Sequence, residues 1–216
     1  MATTIEVLDA LPGCGKTHAV FDYMSKNQDK PWLYLSPLKD EIDNRVFKEA
    51  NRVGMDFVVP DEGVDSTKTD QIYYMLKEGK NVACTHNLML RFQDRHIAKI
   101  LKHGYRVVCD EELNLISGYN IRKEDREFLL KHELIKVVDE KGKIEFTDPD
   151  MDTEARYGDV KRLADMGCLF AAKRSTGILV CQLSTKLIEA ADQFILISYS
   201  YEGSIMHTFL SPSGLS

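Results

Sequence analysis

The run Ala10-Leu11-Pro12-Gly13-Cys14-Gly15-Lys16-Thr17 combines two glycines, a lysine and a threonine at the spacing of a phosphate-binding loop. Glycines let backbone N–H groups turn inward around phosphate oxygens, Lys16 can reach the β- and γ-phosphates, and the Thr17 hydroxyl can hold Mg²⁺. The general G-x-x-x-x-G-K-[ST] pattern has glycine where this chain has Ala10. An apolar run before the loop (Ile5 to Leu8) and a helix-period stretch after it supply the expected strand–loop–helix context. Gly13, Cys14, Gly15, Lys16, Thr17 and His18 are therefore the candidate nucleotide-contacting residues, with a generic glycine turn as the alternative.

The second cluster is Val107-Val108-Cys109-Asp110-Glu111-Glu112-Leu113, an apolar run ending in adjacent carboxylates. Beside a phosphate loop, Asp110 can complete a Mg²⁺ shell with Thr17, and Glu111 can orient or deprotonate an attacking water. Lys16 and Glu111 are thus the candidate catalytic residues. Three other polar segments follow apolar runs: Ser36-Pro37-Leu38-Lys39, Thr85-His86-Asn87 and Ser198-Tyr199-Ser200. Ligands of open α/β sheets bind at the carboxyl ends of strands, which makes each segment a candidate. Ordinary helix capping by Ser36, Thr85 and Asn87 explains the first two equally well.

These groups need a sheet to gather them. Short apolar runs predict strands at Ile5 to Leu8, Trp32 to Leu35, Phe57 to Val59, Val82 to Cys84, Val107 to Cys109, Ile178 to Cys181 and Phe194 to Ile197, with a last candidate at Met206 to Leu210. Three-and-four periodicity predicts helices over Thr17 to Ser25, Leu38 to Val53, Thr67 to Lys77, Asn87 to Lys102 and Thr185 to Ala191. The alternation implies βαβ units and a mainly parallel sheet between helical layers. From Tyr119 to Thr176 the rhythm breaks into a charged helix (Lys123 to His132), a hairpin (Ile135 to Val138, Ile144 to Phe146) and a helix over Thr153 to Ala172. The expected organisation is an α/β core of residues 1–118 plus 177–216, carrying an inserted subdomain at 119–176.

Composition narrows the class. The chain has 216 residues, 29% charged and 44% hydrophobic, and excludes neither a large α/β domain nor a domain with an insertion. A net charge of -6 means that any nucleic acid must meet a local basic patch. The five cysteines form no C-x-x-C pair and read as free thiols, which suits a cytoplasmic compartment and gives no cysteine metal site. Neither a signal peptide nor a run able to span a bilayer is evident.

In order, these motifs resemble superfamily 2 helicases of the DEAD/DEAH-like type, especially those of phages. The resemblance rests on Ala-x-x-Gly-x-Gly-Lys-Thr, Ser-Pro-Leu-Lys, Thr-His-Asn, Asp-Glu-Glu-Leu and Ile-Ser-Tyr-Ser, between Ile5 and about Leu210. It implies a P-loop NTPase core of the RecA-like three-layer kind, with ATP and Mg²⁺ bound by the loop and the Asp110-Glu111 pair. It further implies that Pro37, Leu38, Lys39, Thr85 and His86 lie near a bound nucleic-acid backbone, single-stranded DNA or RNA. Ser198, Tyr199 and Ser200 would couple hydrolysis to strand movement, in a phage-infected or bacterial host cell. Such helicases complete their site with a second RecA-like domain that donates an arginine, so the expectation is the N-terminal half of a longer protein with weak or no turnover alone. Asp-Glu-Glu-Leu departs from the family's second motif, leaving Glu112 and Leu113 unassigned.

Two other classes stay open. A small-molecule P-loop kinase would need an arginine-rich lid, for which Arg122, Arg126, Arg156, Arg162 and Arg174 are available. A regulatory module would hold nucleotide without turning it over.

Overall fold

A computed structural model describes residues 3–210 apart from 62, 64, 114, 153–154, 173–177 and 183. The chain divides into two compact units, one made of residues 1–113 with 185–216 and the other of 114–184.

In chain order the first unit contains β1 (Thr4–Asp9), α1 (Lys16–Lys26), β2 (Trp32–Ser36), α2 (Lys39–Glu41), a π-helical turn (Ile42–Val46), α3 (Phe47–Val53), α4 (Lys68–Lys77), β3 (Val82–Thr85), α5 (His86–Met89), α6 (Asp94–His103) and β4 (Arg106–Asp110). The second unit follows with β5 (Ile116–Tyr119), α7 (Lys123–Lys131), β6 (Ile135–Val137), β7 (Ile144–Phe146), α8 (Gly158–Asp165), β8 (Leu169–Ala171) and β9 (Leu179–Gln182). The chain then returns to the first unit with α9 (Lys186–Ala190), β10 (Gln193–Ser198) and α10 (Ile205–Leu210).

The first unit is α/β, built on a five-stranded sheet of order β1-β10-β4-β2-β3 in which every pairing is parallel. Strands β2 and β10 are buried at every position, as both faces of a covered parallel sheet require. Trp32, Tyr34, Ala83, Val108, Ile195 and Ile197 share one core with Val20, Phe21 and Met24 of α1 and Ala50 of α3. The alternate residues Leu33, Leu35, Val107, Cys109, Phe194 and Leu196 are equally buried, as are Ile72 of α4, Ile100 of α6 and Ile188 of α9. Because successive strand residues point to opposite faces, both faces are covered, an arrangement compatible with a three-layer sandwich.

The second unit has its own core of Leu129, Ile135, Ile144, Phe146, Val160, Leu169 and Leu179. It holds a three-stranded antiparallel sheet of order β5-β9-β8 and the two-stranded β6-β7 hairpin.

Several expectations are corrected. The strand expected at Ile178 to Cys181 is β9 (Leu179–Gln182), which pairs with β5 and β8 in the second unit rather than joining the parallel sheet. Phe57 to Val59 makes one parallel bridge, Val58 to Val82, because Pro60 cannot donate to a continuing ladder. The single helix expected over Thr153 to Ala172 is α8 followed by β8, and its expected start, Thr153, lies outside the described residues. Asn87 to Lys102 is α5 and α6, separated by a capping box in which Gln93 and His96 bond reciprocally. Met206 to Leu210 is helical, since Ser204 accepts the His207 N–H through Oγ at 3.1 Å and starts α10.

Candidate functional site

The loop after β1 takes the shape its glycines permit. Gly13 and Gly15 have φ of 79° and 87°, in the left-handed region that costs side-chain-bearing residues roughly 1–2 kcal/mol. Gly15 is the N-cap of α1, and no described side chain caps it. The first N–H groups of this 11-residue helix therefore point out of the loop with the positive end of the helix dipole behind them.

Sheet order brings the remaining groups to this loop. β10 lies between β1 and β4, with Asp9 opposite Ser198 and Ile197 opposite Asp110. Three strand ends thus meet at one edge, in a cleft of about 760 Å³ lined by Gly13, Gly15, Lys16 and Thr17 on one side and Asp110, Glu111, Glu112 and Ser198 on the other. Glu49 of α3, Arg45 of the π turn and His18 complete its polar wall.

The Lys16 ammonium donates to the Ala10 carbonyl and, at 2.8 Å, to the Ser198 carbonyl. Two of its three protons tie β1 to β10, leaving a third donor directed by the same anchor. Ser198 in turn donates through Oγ to Glu112 Oε1 at 2.8 Å. On the opposite side of the loop, both oxygens of Asp9 accept main-chain N–H groups, from Ser200 at 2.8 Å and Tyr201 at 2.9 Å.

Asp110 is buried, 3% exposed, and its Oδ2 accepts from Tyr34 Oη at 2.7 Å and from Arg45 Nη2 at 2.7 Å. Burial, then the charge of Asp110, pushes the Tyr34 hydroxyl well above its ordinary value, so it stays a donor. For Arg45, partial burial works against the charge, but Asp110 and Glu41 outweigh it and raise the value further. Glu111, at φ 66°, donates its N–H to the Ile197 carbonyl at 3.0 Å. That left-handed turn directly after Asp110 ends β4 and presents Glu111 to the cleft.

The structure thus brings together Gly13, Gly15, Lys16, Thr17, His18, Asp110, Glu111, Ser198 and Tyr199. The His18 ring is 3.1 Å from Glu49 Oε2 through Nδ1, and Cys14 is exposed. Ser200 lies on the loop held by Asp9. Of the candidate nucleic-acid residues, Lys39 and Thr85 line a separate cleft of about 180 Å³ with Lys68 and Asp43. Leu38 is exposed, whereas His86 has Nε2 3.8 Å from Cys109 Sγ and a value lowered chiefly by burial. Pro37 is in neither cleft. Of the lid arginines, Arg156 pairs with Asp125 and Arg162 with Asp159, and Arg174 lies outside the described residues.

Sequence reasoning missed Asp9, Tyr34 and Arg45, and it named Glu112 without assigning it a role. Asp9 carried a signal, a carboxylate on the last residue of the strand feeding the loop. Tyr34 sits in an apolar run that reads only as core, and Arg45 sits in a helix whose phase the π turn shifts.

Among the described residues no group of three or more His, Cys, Asp and Glu could hold a metal ion by itself. A Mg²⁺ site made with phosphate oxygens needs only one or two protein ligands. The Thr17 hydroxyl and the buried Asp110 carboxylate fit that requirement, since both line the same cleft.

Fold and site define an α/β domain with a polar cleft at the carboxyl edge of a parallel sheet. The family model described as the YonV middle domain matches residues 116–179, from the first residue of β5 to the first of β9. Over nearly its whole length the chain is similar to the SPbeta prophage-derived uncharacterized protein YonV of Bacillus subtilis (strain 168), at 21% identity over 224 residues covering 98% of this chain. The chain spans 52% of that relative. No solved structure matches. All five cysteines are free, and among the described residues no helix is long and apolar enough to cross a membrane.

Proposed function

We propose that the first unit is a RecA-like P-loop ATP-binding domain of a superfamily 2 helicase, coupling ATP hydrolysis to movement on single-stranded nucleic acid. The observation that carries this reading is the meeting of the left-handed glycine loop, Lys16 and the uncapped start of α1 with Asp110 and Glu111 across one cleft. Each part has a task there. The loop N–H groups and Lys16 bind and orient the phosphates, while Thr17 and Asp110 hold Mg²⁺, which when bound neutralises phosphate charge. Glu111 takes the proton of the attacking water.

The charges of the cleft support a nucleotide that enters with Mg²⁺. Its wall carries four carboxylates, Glu49, Asp110, Glu111 and Glu112, against two permanent cations, Lys16 and Arg45. A free triphosphate would meet net repulsion, and a Mg²⁺-bound one much less.

In this reading a second RecA-like domain completes turnover, and Lys39 and Thr85 of the smaller cleft lie along the nucleic-acid path. The test is equilibrium binding of ATP with Mg²⁺, followed by turnover with and without single-stranded DNA or RNA. Nucleotide binding together with strand binding that weakens as salt rises is the expected result. Absence of strand binding at low salt overturns the motor assignment, and absence of nucleotide binding overturns the whole reading.

A further inference from the structure

We propose that Arg45 is a cation in this chain's own site that exchanges partners, holding Asp110 before nucleotide enters and turning to the terminal phosphate when Mg²⁺ occupies that carboxylate. The inference rests on the nucleotide-site reading above and adds a residue that no motif predicted.

Three observations carry it. First, Arg45 comes from the π-helical turn Ile42–Val46, where Ile42 and Val46 stay buried in the core while Arg45 reaches the cleft wall. Single π turns within helices recur at functional sites because the extra residue re-aims a side chain at a cost in hydrogen bonding. Second, the guanidinium is incompletely satisfied: Nη2 meets Asp110 at 2.7 Å and Glu41 at 3.4 Å, but Nε is buried with no hydrogen-bond partner. A rigid five-donor fork with a buried unused N–H matches an anion richer in oxygens than one carboxylate edge. Third, the side chain is 41% exposed although its partner Asp110 is buried, so the arginine can leave while the carboxylate stays.

Asp110 can tolerate that departure because Tyr34 continues to donate to the same oxygen. Mg²⁺ and a guanidinium repel when both approach one carboxylate, so a metal-loaded Asp110 holds Arg45 weakly. The released guanidinium can then turn to the phosphate oxygens, in competition with Glu41 and with the cleft carboxylates Glu49, Glu111 and Glu112. Arg45 would thereby read the presence of the third phosphate without help from another domain.

The test measures affinities for ATP and ADP, and the Mg²⁺ concentration giving half-maximal ATP binding, for the wild type, Arg45→Ala and Arg45→Lys. Loss of a charge-assisted contact to the terminal phosphate should cut the preference for ATP over ADP by about tenfold in Arg45→Ala. The same variant should need less Mg²⁺, because nothing competes for Asp110. Arg45→Lys, which keeps the charge without the fork, should fall between and carries the test if Arg45→Ala does not fold by circular dichroism. An unchanged ATP preference and Mg²⁺ requirement in variants that still bind nucleotide overturns the role of Arg45 alone. Failure of the wild type to bind either nucleotide overturns the site reading and this inference together.

Discussion

At the residue scale, the proposed nucleotide site assigns binding and chemistry to different groups. Lys16 is anchored by the Ala10 and Ser198 carbonyls, so its position is set by two strand ends before any ligand arrives. Lys16→Ala should therefore weaken ATP binding by roughly tenfold or more, read by calorimetry, since it removes a charged donor and that anchor. Glu111 is held by its main chain, through the N–H bond to Ile197, and its side chain is free to act on water. Glu111→Gln should keep ATP affinity while lowering turnover in the full-length protein by about 10²–10⁴, the usual range for a lost general base. Equal loss of binding in both variants would remove Glu111 from the catalytic role.

At the element scale, the connection between β1 and the loop after β10 depends on Asp9. Ser200 has φ of 64°, a conformation costing on the order of 1 kcal/mol or more for a non-glycine residue, and the two N–H bonds to Asp9 hold it there. Asp9 is exposed, so water can replace much of what it supplies. Asp9→Ala should consequently cost less than about 1 kcal/mol of global stability while raising amide exchange at Ser200 and Tyr201 by roughly tenfold. A large fall in melting temperature without faster local exchange would mean that Asp9 acts on the whole unit instead. How far such elements could be read from the sequence follows the strength of their local signals. β1, β2, β3, β4 and β10 announce themselves as apolar runs, and the glycine loop and Asp110-Glu111 are legible because each depends on adjacent residues. Partner choice is not local, which is why Ile178 to Cys181 reads as a strand of the wrong sheet. The end of α8 was marked by Gly167, at φ 69°, whose N–H bonds back to the Ala164 carbonyl, but the apolar period beyond it masked that stop. Arg45 and Tyr34 were illegible because their roles arise from a π turn and from sheet order.

At the scale of the whole molecule, protonation and unit structure give two further expectations. His96 is fully buried, and its Nδ1 accepts the Gln93 N–H at 3.0 Å while Nε2 is 3.0 Å from the Thr69 carbonyl, which fixes a neutral ring with the proton on Nε2. Burial is the main cause that lowers its value below the ordinary 6.5. The unfolded chain therefore binds a proton at a pH where the folded protein does not, so this contribution is full above about 6.5 and declines as pH falls through the range beneath it. Denaturant midpoints should fall between pH 7 and pH 5, and less so in His96→Gln. The second unit provides the sharper test, because it has a separate core within residues 114–184. Phe146 is 6% exposed in that core, and truncating such a side chain costs roughly 3–5 kcal/mol. A core in a unit of about 70 residues rarely supplies more than about 3–5 kcal/mol in total. Phe146→Ala should thus leave residues 114–184 unfolded under native conditions, with proteolytic cleavage confined to that span. Nucleotide affinity should persist, since the cleft is lined wholly by residues of the first unit. Simultaneous loss of protection in both units would instead show that they unfold together, which the separate core of residues 114–184 argues against.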